Sequence, residues 1–399
     1  MAELPIIARV LVSPLEVDAS AWNTLLATQS HPTPFMRHEY LAALHESGSA
    51  TPRTGWSPRF MSLWQGDALV AACPLYLKVH SYGEYVFDWA WASAYEQHGV
   101  PYYPKAVIAV PFTPVPGARL LARDDAMRTL LVQAVCQWCE DENISSLHVL
   151  FASDDDVLRC AQQDLMLRHT VQFHWTNAQY ADFDAFLSSL AQEKRKKIRQ
   201  ERQRVARAGV TFRWLRGTDI GPDDWDFFYR CYERTYLEHG NAPYLTRDFF
   251  SRMAAHLPQA WVLFIAERGG RAIASSLIAI SDESIRTCAQ KDQKIEKNNP
   301  KAAYGRYWGA LERVDCLHFE ACYYQPLQWC IDHGVQRFEG GAQGEHKMAR
   351  ALLPVQATSA HWLAHPAFSD AVERFLAREG AGVENYLSEL QARSPFKNG

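Results

Sequence analysis

Three landmarks recur in the same order along the chain, and any fold that accommodates them must be built twice. The first is a turn running into an amphipathic helix: PFMRHEYLAAL from Pro34 and PYLTRDFFSRM from Pro243. Each follows a helical stretch led by a tryptophan, Trp22 or Trp225. The second is a pair of extended apolar runs folded about glycine. FMSLWQGDALVAACPLYL turns at Gly66, and WVLFIAERGGRAIASSLIAI turns at Gly269-Gly270. The third is a helix feeding a strand, AVCQWCEDENISSLHVLF against PLQWCIDHGVQRFEGG, sharing the triplet QWC at 137–139 and 328–330. The landmarks are separated by 209, 204 and 191 residues, a drift expected of a tandem duplication. Helix, helix, antiparallel hairpin, helix and strand make an α+β unit with a mixed sheet. A length of 399 residues suits two such units. The joint falls near Phe173–Asp184, giving expected domains of 1–180 and 181–399. Within the second hairpin, Ser281–Ala303 is polar and Lys-rich and reads as an exposed excursion between strands.

Composition narrows the function. With 48% hydrophobic residues the chain fills two cores. Its formal charge of −4 offers no general basic field, so a nucleic-acid partner must be held by a local patch. No apolar run approaches the roughly 18 residues of a membrane span, and MAELPIIARV lacks the basic and apolar regions of a secretion signal. Nine scattered cysteines without zinc-ribbon spacing read as reduced thiols, and the expected location is cytoplasmic.

The local patch is a helix expected from about Phe186 to Ala208, closed by Gly209 before a VTFRWL strand. Lys194, Arg195, Lys196, Lys197, Arg199, Arg202, Arg204 and Arg207 crowd it, opposed only by Glu193 and Glu201. A solvated face accounts for most charge runs. Here the density stands in an otherwise acidic chain over a thin apolar stripe of Ile198 and Val205, which favours a phosphate-rich ligand held by arginine forks.

A second concentration is RFEGGAQGEHKMARALLP, in which a strand ends in a glycine-rich turn with Gly341 and Gly344, followed by Glu345, His346 and Lys347. Glycines there let backbone N–H groups approach a ligand. Lys347 is positioned to meet a developing oxyanion, and His346 or Glu345 to accept a proton from an attacking amine. A surface turn capped by Lys347 and paired with Glu345 accounts for the same residues equally well.

In DCLHFEACYYQ, read as a strand, Cys316, His318, Glu320 and Cys322 share a face. Alternate strand residues stand about 6.5 Å apart, too far for all to ligate one ion at about 2.0–2.3 Å. No metal is expected, and a polar cleft that includes Tyr324 is. In the first half, the segment 78–117 interleaves aromatics with polar residues. His80, Glu84, Tyr103 and Lys105, with Trp89, Trp91, Tyr102 and Arg119, form either a binding wall or a rim that packs the domains. No GxxxxGK[ST], strand-borne GxGxxG, GxSxG or HExxH is present, which removes P-loop, dinucleotide, serine-hydrolase and zincin readings.

The pieces HSYGEYVFDWAWA, YYPK, PFTPVPG, QFHWTN, KRKKIRQERQRV, GRYWG, DCLHFEACYYQ and RFEGGAQGEHKMARALLP resemble the FemAB-like family, a peptidoglycan biosynthesis/recognition group. The resemblance runs from about Pro34 to Ala364. It implies two tandem GNAT-like (acyl-CoA N-acyltransferase) domains with mixed, mostly antiparallel sheets flanked by helices. It also implies transfer of an acyl or aminoacyl group to an amine, with a peptidoglycan precursor as acceptor. The basic helix opening the second domain is matched by Lys194–Ile198, and the lysine after the glycine pair by Lys347. GRYWG adds Arg306 and Tyr307 to the expected substrate-binding set. No resident cofactor is implied; acyl-CoA or aminoacyl-tRNA enters as donor substrate. The Q/R-x-x-G-x-G/A pyrophosphate loop of ordinary GNAT enzymes is visible in neither half, which disfavours a plain acetyl-CoA enzyme. An acyl-CoA-dependent transferase acting on a small amine and a non-catalytic protein that binds cell-wall precursors remain the competing readings.

Overall fold

A computed structural model describes residues 4–281, 302–342 and 344–397. The expected excursion at Ser281–Ala303 falls almost wholly outside the described residues, as does Gln343 of the glycine-rich turn.

In chain order the first half supplies β1 (Ile6–Leu11), α1 (Ala19–Ala27), α2 (His38–Glu46), β2 (Ser57–Pro58), β3 (Phe60–Gln65), β4 (Ala68–Cys73), β5 (Leu75–Lys78) and α3 (Trp89–Gln97). It continues with β6 (Lys105–Ile108), β7 (Leu121–Ala122), α4 (Asp125–Asp141), β8 (Ser146–Ala152), α5 (Asp154–Gln162) and β9 (Met166–Thr176). The second half supplies α6 (Phe183–Ser189), α7 (Gln192–Arg207), β10 (Val210–Arg216), α8 (Pro222–Glu238), α9 (Arg247–His256), β11 (Trp261–Arg268) and β12 (Arg271–Ile280). There follow β13 (Ala302–Ala310), α10 (Leu317–Phe319), α11 (Gln325–Asp332), β14 (Arg337–Ala342), β15 (Leu353–Leu363) and α12 (Pro366–Ala392). Helices begin where the sequence offers caps: Asp18, Asp124, Ser153, Asp182 and Thr246 each accept a bond from the backbone N–H three residues on. No helix among the described residues is long and apolar enough to cross a membrane. The eight cysteines among them carry free thiols.

By internal contacts the described chain forms two compact units, 4–170 with 356–386, and 171–281 with 302–355 and 387–397. The divisions fall inside β9 and β15 rather than at 180/181. Gln172–Thr176 of β9 pair antiparallel with β14, while Thr358–Leu363 of β15 pair antiparallel with β8. The closing strand of each sequence half thus completes the sheet of the unit built mainly from the other half.

The repeat is visible in the pairing. In the first unit β6 is antiparallel to β5 and parallel to β8. In the second, β13 is antiparallel to β12 and parallel to β14. The helix before each parallel partner is the QWC landmark, α4 or α11, and the amphipathic landmark is α2 or α9. The first unit's core gathers Met61, Leu63, Val70, Leu75, Ile108, Leu131, Val135 and Val149. In the second, Val205 on α7 packs with Val210, Ala266, Ile273 and Leu317.

Two sequence expectations are corrected. The long helix from Phe186 is two helices. Leu190 turns extended and bridges Phe396, and the Ala191 N–H donates to the Pro395 carbonyl, so the chain restarts as α7. The DCLHFEACYYQ segment is helical rather than a strand: α10, a π-helical turn over Glu320–Tyr324, and α11 follow one another. Its buried residues Leu317, Ala321, Tyr324, Leu327 and Ile331 keep the helical period. Pro326 has no N–H to return to the Cys322 carbonyl, and the wide turn lies directly before it.

Candidate functional site in the second unit

β13 and β14 run side by side for only three pairs, Ala302–Arg337, Ala303–Phe338 and Tyr304–Glu339. Beyond them β13 stays with β12, whereas β14, paired with β9 along its other edge from Arg337 to Glu339, continues beside β9 alone to Ala342 after an irregular step. The fork opens a cavity of about 150 Å³. Ser276 lies on its β12 side, Gly305 and Trp308 on β13, Phe338 and Gly340 on β14, and His318, Cys322 and Tyr323 on the helical segment across the mouth. The π-helical turn sets the positions of Cys322 and Tyr323. Sequence reading missed Tyr323, Ser276 and Phe338, and the proline just after the YYQ triplet was the one local sign of an altered helical turn.

The glycine-rich turn follows at the rim. A side chain on Gly340 would bring Cβ to 2.3 Å from Leu352 Cδ2 and 3.0 Å from the Phe173 carbonyl oxygen, so Leu352 would have to move to admit one. Gly341 and Gly344 adopt φ of 75° and 95°. The chain then winds through a 3₁₀ turn, Glu345–Arg350. Lys347 folds back, only 6% exposed, and its Nζ donates to the carbonyls of Gly340 at 2.6 Å and Gly341 at 3.2 Å. Burial pulls its pKa down to about 8.

Arg350 rivets this turn to α7. Its guanidinium meets Glu201 at 2.8 Å, donates to the His346 carbonyl at 2.7 Å and lies 3.5 Å from the Phe319 ring centre. The Tyr324 hydroxyl donates to the same Glu201 carboxylate. His346 is exposed, 3.2 Å from the Tyr323 hydroxyl. Partial burial lowers its pKa, helped by the charges of Arg350, Lys347 and Lys197. His318 is pushed down to about 4, mainly by burial, and is neutral at pH 7. Glu345 points outward, 3.5 Å from Arg393. Of the expected site residues, His318, Arg306 and Tyr307 line the cavity, while Lys347 and His346 reach lining residues, Lys347 through the Gly340 carbonyl and His346 through the Tyr323 hydroxyl. Tyr324 and Glu320 are held in the packing behind it: Glu320 is 4% exposed and bonded to Arg202 and Gln325.

On α7, Ile198, Glu201 and Val205 face inward. Lys194 pairs with Glu193 at 2.9 Å and Arg199 with Asp184 at 3.5 Å. Arg195, Lys196 and Arg199 border an open groove of about 490 Å³. This is the one broad cationic surface that the sequence singles out.

The first-unit residues lie in a different environment. Lys105 is fully buried and donates to Ser81 at 2.7 Å, Glu84 at 2.8 Å and Asp88. Tyr103 shares a 2.9 Å bond with Ser81, and His80 packs on Tyr82. Glu84, Val86 and Asp88 point inward while Tyr85, Phe87 and Trp89 are exposed. Burial raises Glu84 to about 7, whereas the Lys105 charge outweighs burial at Asp88 and lowers it. Lys105 and Glu84 thus act as the internal fastening of that loop.

Residues 13–398 match the FemAB-like family, described as peptidoglycan biosynthesis/recognition. The chain belongs to that family. No curated protein matches it in sequence. Among solved structures, FemX aligns over 90% of this FemAB-like chain and 98% of its own, at 8% identity and TM-score 0.53. L-PGS from Bacillus licheniformis covers 90% and 97% at 11% identity, TM-score 0.51. The C-terminal domain of a putative lysylphosphatidylglycerol synthetase from Agrobacterium fabrum covers 92% and 97% at 11% identity, TM-score 0.50. At such identities these likenesses concern the fold, and they agree with an α+β FemAB-like protein.

Proposed function

We propose that the protein is an N-acyltransferase that moves an aminoacyl group from a tRNA ester to an amine of a peptidoglycan precursor. The observation carrying this reading is Lys347, an ammonium held out of water at the Gly340–Gly341 carbonyls on the rim of the β13–β14 fork. In an acyl transfer, the amine attacks the ester carbonyl, and the resulting oxyanion needs fixed positive charge in a water-poor place. Lys347 supplies that charge. The attacking nitrogen sheds a proton: its N–H breaks, the Tyr323 oxygen takes the proton, and the Tyr323 O–H passes its own to the neutral His346 Nε2, which returns it to solvent. When the intermediate collapses, the C–N bond stays, the acyl C–O bond to the ribose breaks, and the ribose oxygen leaves as a hydroxyl by taking a proton from solvent.

The cationic groove of α7 supports a nucleic-acid ester over a CoA thioester as donor. So does the approach to α10, where Cys316 at φ 66° follows Asp315 and no glycine cradle for a pyrophosphate precedes the helix. The family description supports a peptidoglycan precursor as acceptor. Incubation with aminoacyl-tRNA and an amine-bearing muramyl-peptide precursor should add one aminoacyl residue to the precursor by mass. Lys347→Ala should cut that turnover by about 10²–10³. Undiminished turnover in the variant refutes the role of Lys347.

A further inference from the structure

The loop that follows β5 in the first unit is built inside out. Of residues 79–89, the two with a formal charge, Glu84 and Asp88, are 4% and 2% exposed. Val79, Tyr82, Phe87 and Trp89 are 62%, 62%, 54% and 42% exposed, and Tyr85 is exposed with them. Charged residues ordinarily take the outside of a fold and large apolar ones the inside.

The inversion is held firmly. Lys105 gathers Glu84 and Asp88 from beneath. Three carbonyls of the loop accept bonds from the body of the unit: Tyr82 from Lys78 Nζ at 3.0 Å, Gly83 from the Phe112 N–H at 3.2 Å and Phe87 from Arg168 at 2.7 Å. Arg168 is itself fixed by Glu379 at 2.8 Å, and Lys78 Nζ lies 3.8 Å from the Trp56 ring centre. Tyr85 is kept at φ 63°, a left-handed backbone that is costly for a bulky residue and persists where surrounding contacts enforce it, often at ligand clamps. On the outer side Tyr82 meets His80 and Trp89 edge to face at 5.4 and 5.3 Å. A surface fixed in this way has lost its conformational freedom before a partner arrives.

Size and chemistry choose the partner. Four aromatic side chains at these exposures present roughly 300–500 Å², less than the about 800 Å² per partner of a stable protein interface. A sugar ring stacked on Tyr82 or Trp89 would need polar groups beside it for its hydroxyls, and both carboxylates of the loop are turned inward. A cluster that mixes Trp and Tyr with Phe and Val and carries its charges inside suits a bilayer instead. There the polar tips of Trp and Tyr stay among the headgroups while Phe and Val reach the acyl chains. His80 fits the same surface, because burial and the Lys78 charge lower its pKa and leave it neutral at pH 7.

We propose that loop 79–89 seats the first unit on the interface of a lipid bilayer, with Val79 and Phe87 entering the acyl region and Tyr82 and Trp89 level with the headgroups.

Phosphatidylcholine vesicles in about 1 M sodium chloride provide the test, because a Debye length of about 3 Å there screens the cations of α7. The unaltered protein should co-sediment with the vesicles. Phe87→Ser combined with Trp89→Ser should lower the partition coefficient about tenfold or more. Trp214→Ser, which removes an exposed tryptophan from β10, should leave it unchanged. Should the double variant fail to fold, acyl-brominated phosphatidylcholine takes its place: it should quench part of the tryptophan emission of the unaltered protein, and Trp89→Phe should remove most of that quenching. Failure of the unaltered protein to sediment with phosphatidylcholine overturns the proposal. So does binding that needs phosphatidylglycerol and is lost in salt, a double variant that binds undiminished, an equal loss from Trp214→Ser, or quenching that survives Trp89→Phe.

Discussion

Replacing Arg350 by methionine tests how the glycine-rich turn that carries Lys347 is held. Arg350 is 1% exposed, and its side chain does three things at once. It neutralises Glu201 at 2.8 Å, satisfies the His346 carbonyl at 2.7 Å and covers the Phe319 ring. Methionine restores most of the packing volume but leaves a buried carboxylate with only the Tyr324 hydroxyl. Breaking one partner of a buried pair costs about 3–5 kcal/mol. The expected loss is therefore about 3–5 kcal/mol, read as a shift in urea midpoint followed by tryptophan fluorescence. The companion is Glu201→Met with Arg350→Met, which removes both charges. That pair should recover most of the loss, because replacing a buried ion pair by apolar groups is often close to neutral. A single-variant loss below about 1 kcal/mol, in the range of exposed ion pairs, would refute the claim that this pair anchors the turn. So would a double variant no more stable than the single one.

Other outcomes follow from the same geometry. Lys347 has its pKa depressed from 10.5 to about 8, so it is charged below that pH and loses its proton as pH rises through it. Turnover should fall above pH 8, and Lys347→Arg should extend the plateau to higher pH; an unchanged alkaline limb in the arginine variant would contradict this. Tyr323→Phe keeps the ring and removes the hydroxyl between cavity and His346, and should slow turnover by about 10² without changing donor affinity. A matching loss of donor affinity would assign Tyr323 to binding. Gly340→Ala should destabilise the second unit by about 1–3 kcal/mol, since its Cβ would lie 2.3 Å from Leu352 Cδ2; a neutral effect in urea would show that the Leu352 side chain yields without cost.

The candidate site was legible in part. The glycine turn and Lys347 announce themselves locally, because left-handed backbone and a lysine beyond a strand leave their mark within a few residues. Tyr323 did not, since its role depends on a π-helical turn that rotates two side chains toward a strand more than ten residues earlier. Glu84 and Lys105 show a related limit. Charged residues among aromatics read equally as a binding wall or as a rim that packs the domains, and only the structure shows the loop with its charges inward, where Lys105 pairs with Glu84 and Asp88.

What the sequence determined by itself is the doubled α+β plan, its hairpins, its caps and its basic helix. These follow from periodicities of two and 3.6 residues and from turn chemistry, all short-ranged. What only the tertiary structure decided is pairing between distant segments. β9 closes on β14 and β15 on β8, so each unit is completed by a strand from the opposite half. The parting of β13 from β14 after three residue pairs makes the cavity. Strand partners separated by some 160 residues or more are chosen by which exposed edge and apolar face remain unsatisfied once the local elements exist, and no local pattern encodes that choice.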